Sequence, residues 1–293
     1  MFVIGTDKNC GTMLMSQEYV IEQALKHLKD PKGTFKIVDE PAEVILDNIN
    51  SRFEQAVKNF DNPKTNSPAL RSVIHKFREW NIAALENGEL CSCNALPKVH
   101  KPPDENGIWS RLIIPGEEYI TVQASNFLHS QFQLAVSKND LILEDSSQLI
   151  ALLDQMKIDD DEQLLLNTAD VTALYPSIDI EDGIKALDWF METYVSHTNS
   201  PTESKEFMSI MARWVLENNH VEFQEVEYHQ VIGTAMGTIF SMMFANIFML
   251  WIETLIVNKY KYKSDIRLCK RFIEDIFGAW KGSKRRLCEL KGR

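Results

Sequence analysis

Apolar residues recur at helical spacing over three stretches of the first ninety positions, 16–28, 42–60 and 68–85, with proline or glycine at the breaks; the pattern predicts three helices. The polar stretch "NPKTNSP" at 62–68 between the last two is a loop. The texture changes near Leu90. In "LCSCNALPKVHKPPDENGIWSRLIIPG", short apolar runs around Ala95 and Leu112 predict two strands flanking a proline-rich basic loop. Helical segments follow at 121–136 and 146–156, then an acidic loop, "DDDE", at 159–162. From Leu164 the pattern becomes mixed. "LLLNTAD" is expected as a short buried strand ending on Asp170, and Asp179 with Asp182 caps a helix reaching Tyr194. A helix at 202–218 precedes a hairpin signalled by alternating Val221, Phe223, Val226 and Tyr228. Residues 238–257 are apolar nearly all round, which predicts a helix buried on most faces. "IRLCKRFI" and "IFGAW" then read as two strands with Glu274 and Asp275 at the turn between them. The whole is an α+β chain.

Composition narrows this little: 293 residues, 44% hydrophobic and 25% charged, fit a globular chain of one large or two ordinary domains. Five scattered cysteines suit neither a zinc knuckle nor a redox pair, and are expected as reduced thiols in an intracellular protein. The first residues lack a basic region and a long apolar core, so no signal peptide is expected. The run 239–252 is shorter than the roughly 20 residues a bilayer crossing needs and carries Ser241 and Asn246. No membrane segment is expected either. The net charge of −11 argues against a nucleic-acid binder, but it is uneven: from Lys261 onward there are 11 Lys and Arg against 4 Asp and Glu, and the rest carries −18. Such a tail is either a basic contact face or a solvated end.

The element order brings Asp170, at a strand end, near Glu274 and Asp275 on a hairpin turn, so three carboxylates converge at one edge of a small antiparallel sheet. Such a cluster repels itself unless cations fill it. Magnesium takes a few carboxylates plus substrate phosphates, and two such ions about 4 Å apart hold the attacking and leaving oxygens of a phosphoryl transfer. Adjacent acids in a hairpin turn also serve solubility, and the pair alone does not decide between the two.

Three stretches, "TADVTALYPSIDIEDGI" (168–184), "GTAMGTIFSMMFANIFM" (233–249) and "KRFIEDIFGAW" (270–280), resemble in order and spacing the palm motifs of reverse transcriptases, with wording similar to Penelope-like retroelements. Upstream, "TDKNCGTMLMSQEYVIEQALKHL" (6–28) and "LPKVHKPP…SRLIIPG" (96–116) resemble finger regions of the same family. The resemblance implies an N-terminal extension and fingers over 1–163 and a truncated palm with a small antiparallel sheet and packed helices over 164–293, the thumb and the GIY-YIG endonuclease of the family missing. It implies an RNA-directed DNA polymerase in the nucleus, with an RNA or DNA template, a primer and deoxynucleoside triphosphates as partners and two Mg2+ ions, or Mn2+, as cofactors.

Carried over by position, Asp170 and the Val171 carbonyl are metal ligands of the first palm motif, and Glu274 with Asp275 fills the acidic pair of the third. Tyr175 takes the place of the ring that stands under the incoming sugar and excludes a 2′-hydroxyl. Gly233, Met236 and Gly237 match the second motif, where small residues let backbone approach the nucleotide. Arg111 matches the arginine of the second finger motif, and Lys98 and Lys101 fall where cations meet the triphosphate. The chain departs from the family at Glu274, where aspartate is usual; one more methylene moves the carboxylate by on the order of 1 Å, a misplacement that can cost roughly 10²-fold in rate. Two further readings remain open: a relic that keeps the fold and binds nucleic acid through the tail, and a two-metal phosphohydrolase.

Overall fold

The computed structural model describes residues 1–61, 67–105, 107–158, 164–195, 202–285 and 287. Residues 62–66 of the first loop, the acidic loop at 159–162, and positions 286 and 288–293 of the basic tail lie outside them.

The chain opens with an antiparallel hairpin, β1 (Phe2–Gly5) and β2 (Thr12–Met15), and continues through α1 (Gln17–Leu28), β3 (Phe35–Val38), α2 (Ala42–Val57) and α3 (Pro68–Asn87). Short strands β4 (Cys91–Ser92), β5 (Asn94–Pro97) and β6 (Ser110–Ile113) precede α4 (Val122–Ser137) and α5 (Ser146–Gln155). Then come β7 (Leu164–Asp170), α6 (Leu174–Ser177), α7 (Ile180–Phe190), α8 (Thr202–Glu217), the hairpin β8 (His220–Phe223) and β9 (Val226–Gln230), α9 (Ile239–Lys259), and the hairpin β10 (Ile266–Phe272) and β11 (Asp275–Lys281).

Caps fix the helix starts where the sequence marks them. The Ser16 hydroxyl accepts the Tyr19 N–H and the Ser67 hydroxyl the Leu70 N–H, each at 3.2 Å, and the Asp179 carboxylate accepts the Asp182 N–H at 3.1 Å. The apolar faces of α2, α3, α4, α7, α8 and α9 meet in one core drawn from both halves of the chain. Phe53 packs on Trp214 with ring centroids 5.1 Å apart, and Phe132 lies edge-on to Phe190 at 6.1 Å. Each fully buried ring of this kind contributes about 1.5–3 kcal/mol relative to water. A smaller core seats α1 on β5 and β6 through Ala24, Leu28, Ala95 and Leu112.

Helix α9 runs for 21 residues, seven more than the apolar run at 239–252, because Glu253 turns inward to a buried arginine instead of ending the helix. By length and composition alone it is long and apolar enough to cross a bilayer. Eight of its residues, Phe240 and Phe244 among them, are buried against the rest of the chain.

Two sheets matter below. One is three-stranded, in the order β10-β11-β7, antiparallel throughout; the other is four-stranded, β3-β9-β8-β4, with only the β4–β8 pair parallel. The two strands predicted around Ala95 and Leu112 are present and pair with each other antiparallel, with those two residues directly opposite.

Candidate active site

Register brings the first two acids together. Asp275, the first residue of β11, lies directly opposite Asp170, the last residue of β7. Residues opposite each other in an antiparallel pair project from the same face with Cβ atoms roughly 4.5–5.5 Å apart, so the two exposed carboxylates stand side by side at the sheet end. The Val171 N–H donates to the Glu274 carbonyl at 3.1 Å, adding one rung beyond the strands.

Phe272 pairs with Asp275, so the turn consists of Ile273 and Glu274 alone. Ile273 has φ of 55°, a left-handed conformation that a β-branched residue rarely adopts and that costs about 1–3 kcal/mol. Arg271 holds it there. Its side chain is 1% exposed, and Nη1 donates to the Ile273 carbonyl and to the Asn246 side-chain oxygen, both at 2.7 Å. Nε donates to Glu253 at 2.7 Å, and the Arg271 backbone bonds Leu141 and Leu143, each at 2.8 Å. The acidic turn is thus anchored to α9 by a buried guanidinium. The sequence placed this arginine in the basic tail. The structure removes it from any contact face.

Beside the turn lies a cavity of about 350 Å³ lined by Arg111, His129, Tyr175, Met236, Gly237 and residues at the start of α9. Met236 and Gly237 line it at the end of the segment 233–237, which is laced to two neighbours. The Gly233 N–H donates to the Ile178 carbonyl (3.1 Å) and the Thr234 N–H to that of Tyr175 (3.0 Å), while the Ile114 N–H donates to the Met236 carbonyl (2.8 Å). Both glycines have positive φ, and a Cβ on Gly233 would lie 2.4 Å from the Tyr175 carbonyl oxygen, one on Gly237 2.4 Å from that of Ile114. Their smallness therefore serves backbone contacts within the chain, and Gly237 faces the cavity as well. A larger hollow of about 450 Å³, between Ala135 and Tyr194, shares no lining residue with this one.

The charges around the cavity are coupled. Burial raises the Glu274 carboxyl above the ordinary range; Asp170 and Asp275 push the same way, and Arg111 and Lys8 oppose them. Burial raises the Tyr175 hydroxyl, with Glu274 adding to the effect and Arg111 opposing it. Lys98 is lowered by burial and by the nearby charges of Arg111 and Lys101, against Asp7 and Glu274. Lys101 itself is exposed, and it does not line the cavity. Arg111 pairs with Asp7 at 3.3 Å. Asp7, Lys8, His129 and Arg271 thus join the residues read from sequence; only Arg271 stood in a quoted motif beside the acids, and nothing in the pattern marked it as buried.

Among the described residues no three Asp, Glu, His or Cys side chains form a ready-made metal cluster. The Asp170–Asp275 pair does fit a hard cation of the magnesium type, which takes one or two carboxylates and completes its shell with water and substrate phosphates.

No family model and no curated protein matches the sequence. Among solved structures, apo telomerase from Candida tropicalis truncated from its C-terminal domain is similar over 99% of this chain and 54% of its own, with a TM-score of 0.60 at 13% identity. Apo telomerase from Candida tropicalis is similar over 75% of this chain and 45% of its own, with a TM-score of 0.51 at 12% identity. The fold is reverse-transcriptase-like. The chain spans about half the length of these structures. Within this reverse-transcriptase-like fold, the paired aspartates and the cavity form a single candidate site, linked by Glu274, which feels Asp170, Asp275 and Arg111 and acts on the Tyr175 hydroxyl.

Proposed function

We propose that the chain is the fingers-and-palm region of a reverse transcriptase of Penelope-like retroelement type, carrying out template-directed DNA synthesis. The observation that carries this reading is the register that sets Asp170 opposite Asp275 beside a cavity lined by Arg111, Tyr175 and Gly237. In it, Asp170 and Asp275, with the Val171 carbonyl, would hold Mg2+ or Mn2+; when bound, the metal supplies positive charge to the transferred phosphoryl group. Arg111 and Lys98 bind the triphosphate of a deoxynucleotide. The Tyr175 ring limits the space at the sugar, and the segment 233–237 gives the base a flat wall. The primer 3′-hydroxyl then attacks the α-phosphorus and pyrophosphate leaves. A phosphohydrolase would use the same aspartates but has no need of a walled cavity with a ring at the sugar position.

Glu274 favours a second reading, a chain that retains the fold and binds nucleic acid while polymerising poorly. Its carboxyl is raised by burial, so the turn does not welcome its charge.

Primer extension on an RNA template, in a chain extended to include a thumb, separates the readings. The expected result is slow extension in Mg2+, its loss in Asp170→Ala, and a gain approaching 10²-fold in Glu274→Asp. Tyr175→Ala should raise ribonucleotide use relative to deoxynucleotide. An extended Glu274→Asp chain that neither extends primer nor binds deoxynucleotide ends the polymerase reading.

A further inference from the structure

The segment Thr6–Gly11 was singled out by its resemblance to a finger motif, yet the reading above gives its residues no role. It connects β1 and β2 and is closed on itself: the Thr6 N–H and hydroxyl both donate to the Gly11 carbonyl, at 3.1 and 2.9 Å. Inside the closed loop Lys8 has φ of 60°, unusual for a residue with a side chain, and its charge acts on Glu274. Asp7 is 5% exposed. A carboxylate is almost never buried so far without full pairing, but here one oxygen meets Arg111 at 3.3 Å while the other is buried with no hydrogen-bond partner.

We propose that Asp7 is a positioning residue that holds the Arg111 guanidinium in the cavity for the polyphosphate of an incoming nucleotide. The proposal rests on the cavity being the nucleotide site. Arginine carries five N–H donors in a rigid fork, so a single contact at one edge fixes its direction and leaves the remaining donors for a ligand. Arg111 and Lys101 both act on Lys98 as like charges, opposed by Asp7 and Glu274, and of those two acids Asp7 is the one paired with Arg111. The opposite role, a carboxylate that occupies Arg111 and must leave before a nucleotide binds, calls for an exposed, loosely held side chain. Asp7 is buried in a loop tied by two hydrogen bonds, so it stays.

The experiment is calorimetric binding of dTTP, with Ca2+ present so that no turnover intervenes, to the full chain and to Asp7→Asn, Arg111→Ala and the double variant, with melting temperature recorded for each. Asp7→Asn keeps the shape and removes the charge. Kd should rise roughly tenfold, as for one partly buried ion pair lost. Asp7→Glu should recover part of the loss, and the double variant should bind no worse than Arg111→Ala alone, since both changes act through one guanidinium. A merely structural Asp7 would instead give additive losses that follow the fall in melting temperature. Unchanged Kd in Asp7→Asn, or additive losses, overturn the proposal, and tighter binding identifies Asp7 as a competing anion. If dTTP binding by the unmodified chain is absent or indifferent to Arg111→Ala, the nucleotide-site reading fails and this inference with it. Should Asp7→Asn not fold, Asp7→Glu against the unmodified chain decides by the same Kd comparison.

Discussion

Two sheets of this molecule place a pair of like titratable side chains directly opposite each other, and they treat the pair in opposite ways. In the four-stranded sheet His220 faces His229, and the rings stack with centroids 4.1 Å apart and planes 7° from parallel. Both are buried enough to give up their charge. His220 is pulled down to about 4, first by burial and then by its neighbour, and His229 is lowered chiefly by burial while its ring bonds the Glu217 carbonyl. In the three-stranded sheet Asp170 faces Asp275 at an open end, where both remain exposed. The register operation is the same; solvent access differs. A buried pair relieves its repulsion by becoming neutral and then packs as core, whereas an exposed pair stays open to solvent and to a cation. Pairing alone therefore does not mark a site. Pairing with exposure, beside a walled cavity, is what makes the aspartates the candidate.

The sharpest way to break this comparison is to neutralise the exposed pair. Asp170→Asn and Asp275→Asn should each reduce primer extension to background, and in EDTA each should melt at the same temperature as the unmodified chain or slightly higher. Like charges directly opposite destabilise a sheet by a few tenths of a kcal/mol to about 1 kcal/mol, which the substitution removes. A variant that loses several degrees in EDTA would show that these carboxylates hold the sheet together, and the contrast with the histidine pair would collapse.

Next in size is the anchor beneath the acidic turn. Arg271→Met removes the donor to Glu253, Asn246 and the Ile273 carbonyl at once, and breaking a buried pair from one side costs about 3–5 kcal/mol. Urea unfolding should register that loss. Glu253 already has its carboxyl raised by burial, so the double variant with Glu253→Leu should recover much of it. A single variant within about 1 kcal/mol of the unmodified chain would mean that the turn keeps its left-handed Ile273 without help.

How much of this was legible follows from what pattern can carry. The period of the apolar residues predicted the long helices that bury a face in the core; it also predicted the strand ending on Asp170, which lies at a sheet edge with no residue fully buried. It predicted both acids of "FIED" at a turn, and the structure divides them: Asp275 begins a strand and Glu274 sits in a two-residue turn, a distinction of one register step that local pattern does not specify. The short strands β1, β2 and β3 were missed, since four residues seldom show a period, and β3 finds its partner β9 nearly two hundred positions away. With β1 and β2 went the Asp7 loop. The burial of Arg271 was equally hidden, because its partners lie on α9 and in the 141–143 segment, and a charged residue in a basic stretch reads as surface until those neighbours are known.

The smallest expected effect belongs to the buried histidines, and it sharpens the comparison from the other side. A histidine whose folded pKa is depressed binds its proton in the unfolded chain before the folded one, so stability is held above the ordinary value near 6.5 and lost as pH falls toward the folded value. For His220 that window runs from about 6.5 down to about 4, and the loss across it is about 3 kcal/mol. Arg52 opposes protonation of both rings, and Lys36 that of His229. His220→Phe keeps a ring against His229 and removes one titrating group together with a buried nitrogen, Nδ1, that has no partner. Urea midpoints should therefore be nearly equal for the two proteins at pH 8, and the variant should lose less on the way to pH 4, with a residual slope from His229. If both proteins lose stability in parallel over that window, His220 is not the group that titrates, and the acid response of this sheet has its source elsewhere.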